Sequence, residues 1–267
     1  MNNIIRFGRA PTNIKEIKAN IFSFHTKHRI LFEENENKIW EDSDFMVSLK
    51  GYKLNQINKD ILDIILYYGG KEFDGKLKDN RFVRTISLYK IKDLLGYKSS
   101  NNIKWIENKI KEMQQTLISV TIKNTKETYN FNIIETSKHS QKLNTYAVII
   151  HPLYALFFNK NISMDYSYYL QNILKLKNGV TKAAIRYLLT HKEKININID
   201  NLLKKIGVTG SKRNIEKQRA KLLEELEEVK DIFNLELKKM SNDNRKKNDY
   251  NICYTRLKEI KFYYPKK

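Results

Sequence analysis

The stretch Ile197-Asn-Ile-Asp-Asn-Leu-Leu-Lys-Lys-Ile-Gly207 decides the fold of this chain. Ile195, Ile197 and Ile199 alternate with polar residues, as in a half-buried strand. Asp200 is placed to cap a short helix that runs through Ile206. Gly207 ends that helix, because glycine enters the left-handed conformation at no steric cost. Thr209-Gly-Ser-Lys212 then opens a longer helix to about Val229. Upstream, Tyr166 to about Thr190 reads as helical, with a break expected near Asn178-Gly179. Downstream, Ile232 to Leu237 and Asn248 to Leu257 read as paired strands around a basic turn, Ser241-Asn-Asp-Asn-Arg-Lys-Lys247.

The same plan occurs earlier in the chain. Ile86-Ser-Leu88 lies over Ile197-Asn-Ile199 at an offset of 111 residues, and Ile91, Leu95 and Gly96 fall on Leu202, Ile206 and Gly207. One residue is added in the following turn, after which Ile103, Ile110 and Leu117 fall on Ile215, Leu222 and Val229. An internal duplication is the simplest account. Leu54 to Tyr68 supplies the amphipathic helix before the first unit's strand, and Gly69-Gly70 stops it. A helix opened by Ser99, Ser100 and Asn101 runs to about Thr116. Ile118 to Ile122, Tyr129 to Ile133 and Tyr146 to Ile150 alternate as three strands, expected to be antiparallel. Each unit thus reads helix, strand, short helix, glycine turn, longer helix, hairpin. That order is a helix-turn-helix with a wing. The expected fold class is α+β, a tandem winged helix, mainly helical with small antiparallel wings. Residues 1–45 read as an N-terminal arm with at most one short helix or strand, 46–150 as the first winged helix and 151–267 as the second.

Composition points to a polyanion partner. Lys+Arg number 50 against 30 Asp+Glu, a formal net charge of +20 over 267 residues, and 41% of residues are hydrophobic. The chain can therefore bury a core, and nucleic acid stands ahead of a membrane surface as partner. Only 10 of the basic residues are Arg, so a codon bias toward Lys inflates the charge without accounting for the whole excess. No apolar run of transmembrane or signal-peptide length occurs, which implies no membrane association and a cytoplasmic location. The single Cys253 forms no internal disulfide and is expected to be packing.

In a helix-turn-helix the second helix enters the major groove, with base contacts near its N-terminal half. At 100° per residue the first such helix buries Ile103, Ile106, Ile110, Met113 and Leu117 and turns Asn101, Lys104, Trp105, Asn108, Lys111 and Gln115 away. The second buries Ile215, Leu222, Leu226 and Val229 and offers Arg213, Lys217 and Lys221 near its start. The candidate DNA-binding residues are Ser99, Asn101, Lys104, Asn108 and Lys111 in the first unit and Ser211, Lys212, Arg213, Lys217 and Lys221 in the second. Arg245, Lys246 and Lys247 join them at the second wing tip. Asn and Arg read base edges, and Lys mostly neutralises phosphate. Any surface helix in a Lys-rich chain is basic somewhere, so a solvated face is the competing reading. Trp105 reads as packing between domains ahead of a DNA contact. The turn at 123–128 carries Lys123 and Lys126, a weaker signal. The acids Glu224 to Glu228 stand at the helix end that the macrodipole disfavours, and are expected to sit away from DNA.

No catalytic constellation, cofactor site or metal site emerges, so the chain is not expected to be an enzyme. Gly70-Lys-Glu-Phe-Asp-Gly-Lys76 fits a phosphate-loop pattern, but Leu77 stands where Ser or Thr would hold magnesium. His25 and His28 have metal-ligand spacing with nothing nearby to complete a site. No His-hydrophobic-His motif supports metal-dependent nicking.

Several segments resemble the plasmid replication initiators with two winged helices, and specifically their TrfA-like, iteron-binding branch. They are Tyr146-Ala-Val-Ile-Ile-His-Pro-Leu-Tyr-Ala-Leu-Phe157, Lys182-Ala-Ala-Ile-Arg-Tyr-Leu-Leu-Thr-His191, Ile197 to Gly207, and Arg219-Ala-Lys-Leu-Leu-Glu-Glu-Leu226. Arg84-Thr-Ile-Ser-Leu-Tyr-Lys-Ile-Lys-Asp-Leu-Leu-Gly96 looks like the first unit. The resemblance covers about two thirds of the chain and rests on patterns. It implies binding to direct repeats in double-stranded plasmid origin DNA, melting of adjacent AT-rich DNA, and recruitment of the host initiator and replicative helicase. It also implies a homodimer linked to copy control. DNA contact carries over to Lys212, Arg213, Lys217 and Lys221. The sliding-clamp motif of some relatives has no clear match in the arm. A winged-helix transcriptional regulator or autorepressor that does not open an origin is the alternative.

Overall fold

The computed structural model describes residues 11–24, 32–70, 83–140, 145–154, 163–240 and 250–263. The chain begins with β1 (Pro11–Asn13) and α1 (Ile14–Lys18), followed by the long β2 (Phe32–Glu41) and β3 (Phe45–Tyr52). The first unit then runs α2 (Gln56–Tyr68), β4 (Val83–Ile86), α3 (Leu88–Leu94) and α4 (Asn102–Gln115). Four strands follow, β5 (Leu117–Ile122), β6 (Glu127–Phe131), β7 (Ile134–Ser140) and β8 (Thr145–Ile150). After β9 (Ser163–Asp165) and a single 3-10 turn, α5 (Leu170–Lys175) leads into the second unit. That unit runs α6 (Gly179–Leu189), β10 (Ile195–Asn198), α7 (Ile199–Lys205), α8 (Lys212–Val229), β11 (Leu235–Lys239) and β12 (Tyr250–Tyr254). The short β13 (Lys261–Tyr263) closes the described chain.

The repeat read from sequence is reproduced at the level of single hydrogen bonds. Ser87 caps α3 by accepting the Tyr89 N–H, and Asn198, at the offset of 111, caps α7 by accepting the Asp200 N–H. Asp200, expected to be the cap, stands instead in the first turn and pairs with Arg219 of α8. At the far end Gly96 and Gly207 have φ of +75° and +79°. In the first unit the N–H groups of Gly96 and Tyr97 bond the carbonyls of Asp93 and Lys92; in the second, those of Gly207 and Val208 bond Lys204 and Leu203. The two turns are the same helix-ending motif, set by a glycine in the left-handed region.

Sheet pairing also repeats, with one insertion. The second unit's sheet has the order β10-β12-β11, and the first unit's has the order β4-β8-β7, all antiparallel. The hairpin directly after α4, β5 with β6, therefore does not pair with β4. It joins β2 and β3 in a separate sheet of order β2-β3-β5-β6. The expected strand over 129–133 splits here: β6 ends at Phe131, and β7 begins at Ile134 in the other sheet. Asn132 fixes the crossing by donating to the carbonyls of Gln114 and Thr116 at the end of α4.

Residues 1–45 are more structured than the expected arm. Their described part holds two strands and a helix. β1 pairs with β9, whose other edge takes β13, so the two ends of the described chain meet on one strand. β2 carries Phe-Glu-Glu-Asn-Glu-Asn-Lys-Ile-Trp-Glu, an edge sequence without apolar alternation, and is held to β3 by backbone pairing that periodicity cannot reveal. The expected N-cap at Ser99 to Asn101 is a looser turn. Ser99 Oγ accepts the Asn101 N–H, while Asn101 has helical dihedrals and makes no side-chain cap.

One hydrophobic cluster runs through both units, from Ile61, Ile65 and Ile110 to Val180, Leu188, Leu202 and Leu226. α2 and α6 meet within it and are buried over nearly their whole length. No helix among the described residues is long and apolar enough to cross a membrane. The phosphate-loop pattern beyond Gly70, His25 and His28 lie outside the described residues. Replacing Gly96 or Gly207 by Ala should lower stability by roughly 1–2 kcal/mol each, the cost of a left-handed non-glycine residue. Gly179→Ala should be close to neutral, because Gly179 starts α6 with ordinary dihedrals and an added Cβ would meet the Phe24 ring at 3.6 Å. Denaturant midpoints measure this, and equal losses at all three positions would contradict it.

Candidate nucleic-acid interface

α4 and α8 occupy the same place in the two units, each following a glycine turn. Ile106, Ile110 and Met113 of α4 are fully buried, as are Leu222 and Leu226 of α8. What remains outside is a polar face on each helix. On α4, Asn101, Lys104, Asn108, Lys111 and Gln115 are exposed at three- and four-residue spacing, one continuous stripe. Lys111 pairs with Glu107 at 3.1 Å on the surface. On α8, Ser211, Lys212, Arg213 and Lys217 are exposed. Ser211 is the N-cap, its Oγ accepting the Asn214 N–H at 3.4 Å, so the basic residues cluster at a helix N-terminus whose dipole also favours an anion.

Lys221 departs from that face. It is half-buried and lines a cleft of about 880 Å³ between the units, together with Gln218 of α8 and Trp105, Asn108 and Lys109 of α4. The two candidate recognition helices thus share the walls of one depression. Trp105 packs edge-on against Tyr97 at 5.4 Å, and Lys109 Nζ lies 5.8 Å from the indole ring. Arg245, Lys246 and Lys247 lie outside the described residues. Lys123 pairs with Glu41 at 2.5 Å, and Lys126 takes a positive φ in the β5–β6 turn. Hydrogen bonds from Lys123 and Lys38 hold the Glu41 carboxyl down at about 2. That turn belongs to the sheet containing β2 and β3, remote in pairing from β4, and so it is not the first unit's counterpart of the 241–249 segment.

Each helix is anchored to the rest of its unit by a buried carboxylate. Glu112 of α4 accepts from Asn58 Nδ2 of α2 at 2.9 Å and from Lys109 Nζ. Asn58 also donates to the Lys109 carbonyl, and its Oδ1 completes a capping box with Asn55 at the start of α2. Glu225 of α8, one of the acids expected to sit away from DNA, is 4% exposed. Its carboxylate accepts the backbone N–H groups of Lys177 and Asn178 at the start of α6, where a negative charge suits the dipole. Glu224, Glu227 and Glu228 are exposed.

Between α2 and α6 lies a group of charges absent from the expected site. Asp60 accepts from Lys182 Nζ and, at 2.7 Å, from Arg186 Nη2. Asp63 accepts from Arg186 at 2.9 Å and from the Tyr166 hydroxyl at 2.5 Å, and pairs with Lys59 at 2.9 Å. Lys59 also reaches Glu16 of α1 at 3.1 Å, and Glu16 accepts from the Tyr154 hydroxyl. Burial opposes the charge on Lys59, but Asp63 and Glu16 outweigh it and lift its pKa above the ordinary lysine value. Burial likewise opposes Arg186 and is outweighed by Tyr166, Asp60 and Asp63. Burial, with Asp63 and Glu16 beside them, raises the hydroxyls of Tyr166 and Tyr154. The sequence signal was present: Lys59, Asp60 and Asp63 interrupt an otherwise apolar helix, and Lys182 and Arg186 are four apart on another.

No family model matches the chain, and no curated protein matches it. Solved structures do. A crystal structure of domains 2 and 3 of RctB matches with a TM-score of 0.60 at 11% identity, covering 91% of this chain and 98% of that one. A second RctB domains 2–3 structure gives 0.59 at 11%, covering 90% and 96%. The Pi initiator protein in complex with iteron DNA gives 0.49 at 14%, covering 76% and 91%. The chain has the fold of RctB domains 2 and 3.

Glu225→Ala should destabilise the protein by about 1–3 kcal/mol, because it leaves two part-buried N–H groups at the start of α6 without their acceptor. Glu224→Ala should change stability by less than about 0.5 kcal/mol, as surface substitutions do. Thermal unfolding of the two variants side by side measures the difference.

Proposed function

We propose that this chain is a plasmid replication initiator whose two repeated units are winged helices, with α4 and α8 as recognition helices in successive major grooves. The observation that carries this reading is the repeat itself. Two topologically equivalent helices each turn Asn, Lys or Arg outward near their start, in a chain that shares its fold with RctB domains 2 and 3. Lys104, Lys111, Lys212 and Lys217 would neutralise phosphates, while Asn101, Asn108 and Arg213 have the donors to read base edges. The hairpins β7–β8 and β11–β12 would be the wings, and Arg245, Lys246 and Lys247 would extend the second along the backbone. Lys221 would act from the cleft wall, beside the DNA that passes between the two grooves. The target is the set of direct repeats at a plasmid origin. Binding there would open adjacent AT-rich DNA and bring in the host initiator and helicase. The protein would work in the bacterial cytoplasm without enzymatic chemistry of its own, as monomer at the origin and as dimer in copy control.

Binding to origin duplex should weaken steeply from about 50 to 200 mM salt, with a log–log slope set by the phosphates neutralised. Fluorescence anisotropy titrations at several salt concentrations measure that slope, and a flat response would remove DNA as the partner. Arg213→Ala and Lys217→Ala should each cost roughly 1–3 kcal/mol of binding. Unchanged affinity of the double variant would take α8 out of the interface. Permanganate reactivity of origin thymines should rise when the protein binds. Tight binding without that rise would assign the chain to transcriptional regulation.

A further inference from the structure

The buried polar contacts described above are linked in series through the bodies of α2 and α6. Glu112 ties α4 to Asn58 of α2. Two residues further along α2, Asp60 holds Lys182 and Arg186 of α6. The start of α6 is held by Glu225 of α8. Both oxygens of Asp60 are used, Oδ1 by Arg186 and Oδ2 by Lys182, whose ammonium also donates to the Leu174 carbonyl in α5. Arg186 Nη1 donates to Gln56 at 2.6 Å, and Gln56 donates to the Phe22 carbonyl. The charged members are Glu16, Asp60 and Asp63 against Lys59, Lys182 and Arg186, a formally neutral set.

Apolar contact between α2 and α6 is non-directional and tolerates sliding or rotation of one helix on the other. Charged hydrogen bonds in a dry interior do not, since a small displacement leaves a buried charge unpaired. Such pairs add little net stability against an apolar replacement, but they select one geometry. Here the geometry selected is that of α4 relative to α8, because each is fixed to the helix nearest the joint.

We propose that this relay from Glu112 through Asn58, Asp60, Lys182 and Arg186 to Glu225 is a positioning device that sets the separation and phase of the two recognition helices, with Asp60 as its joint. The proposal rests on the reading of α4 and α8 as recognition helices. Its consequence is strict spacing between the two half-sites of the target, because a duplex turn of about 10–10.5 bp must match a fixed distance in the protein.

The test uses the full-length protein with spin labels at Gln115→Cys and Glu224→Cys, both exposed, in a Cys253→Ala background. Double electron–electron resonance should give one narrow label distance. The double variant Asp60→Asn with Lys182→Met removes one acid and one base and keeps the joint neutral. It should broaden or split that distribution while circular dichroism stays native. An unaltered narrow distance overturns the proposal. If the double variant does not fold, Asp60→Glu decides. It keeps the charge but lengthens the arm by a methylene, and should shift the mean distance, whereas no shift overturns the proposal. For DNA, the probe is the duplex that the unsubstituted protein selects from a random pool. Inserting 5 bp, about half a turn, between its half-sites should weaken the parent about tenfold or more and the double variant much less. A variant with a broadened distance but the parent's full spacing discrimination would also overturn the proposal. If distances respond while no preferred duplex is selected, the positioning role of Asp60 stands and the DNA reading falls.

Discussion

The buried ion pairs between α2 and α6 are the constraint on which the rest of the structure depends. Six charged groups are taken out of water in the middle of the molecule, and every one has an opposite partner within hydrogen-bonding distance. Burying a single charge costs several kcal/mol, so withdrawing Asp60 would strand Lys182 and withdrawing Lys59 would strand Glu16. The first helix of each repeat therefore meets its counterpart in one arrangement. Glu16 brings α1 into the same set, which is why residues ahead of the first unit are part of the body of the protein and not a tether. Asn20 adds a contact to the α7 carbonyl of Lys205, stitching the same segment to the second unit.

The net charge takes on a different meaning once residues are placed. A total of +20 describes the composition, and part of it follows from a lysine-rich codon usage. Within the fold, bases do three separate jobs. Lys59, Lys182 and Arg186 balance buried acids and are unavailable to any partner. Arg219 ties α8 to α7 through Asp200, and Lys109 closes on Glu112. Lys104, Lys212, Arg213 and Lys217 remain exposed on equivalent helices, where a polyanion could reach them. The acids divide as well. Glu225 is spent on the N-terminus of α6, while Glu224, Glu227 and Glu228 stay in solvent at the end of α8 away from its basic start.

Much of each unit was legible in the chain. The alternation at Ile195 to Ile199, the glycines at 96 and 207 and the periodicity of α2, α4 and α8 are local signals, and each lies within two or three residues of the observed boundary. The caps also repeat at the offset of 111, as Ser87 and Asn198, where the expected cap was Asp200. The illegible elements share a cause. β2 is an acidic edge strand, β7 is mostly exposed, and β9 and β13 are three residues long, so none carries enough apolar periodicity to declare itself. For β9 and β13, moreover, the pairing is to strands far away in sequence or across a long connection. Long range also decides the hairpin β5–β6, whose position after α4 suggested a wing, but whose partner is β3.

By itself the sequence determined the repeat, the helix pairs and most of the residues that face outward on α4 and α8, because periodicity and turn chemistry act over a few residues. Tertiary structure decided which hairpin serves which unit, how the N-terminal segment is used, and which charges are buried. The physical reason is range. A carboxylate such as Asp60 or Glu225 looks like any surface acid until the fold brings a distant ammonium, guanidinium or helix N-terminus against it. Only that encounter turns a helix with an oddly placed charge into the joint that fixes two helices in space.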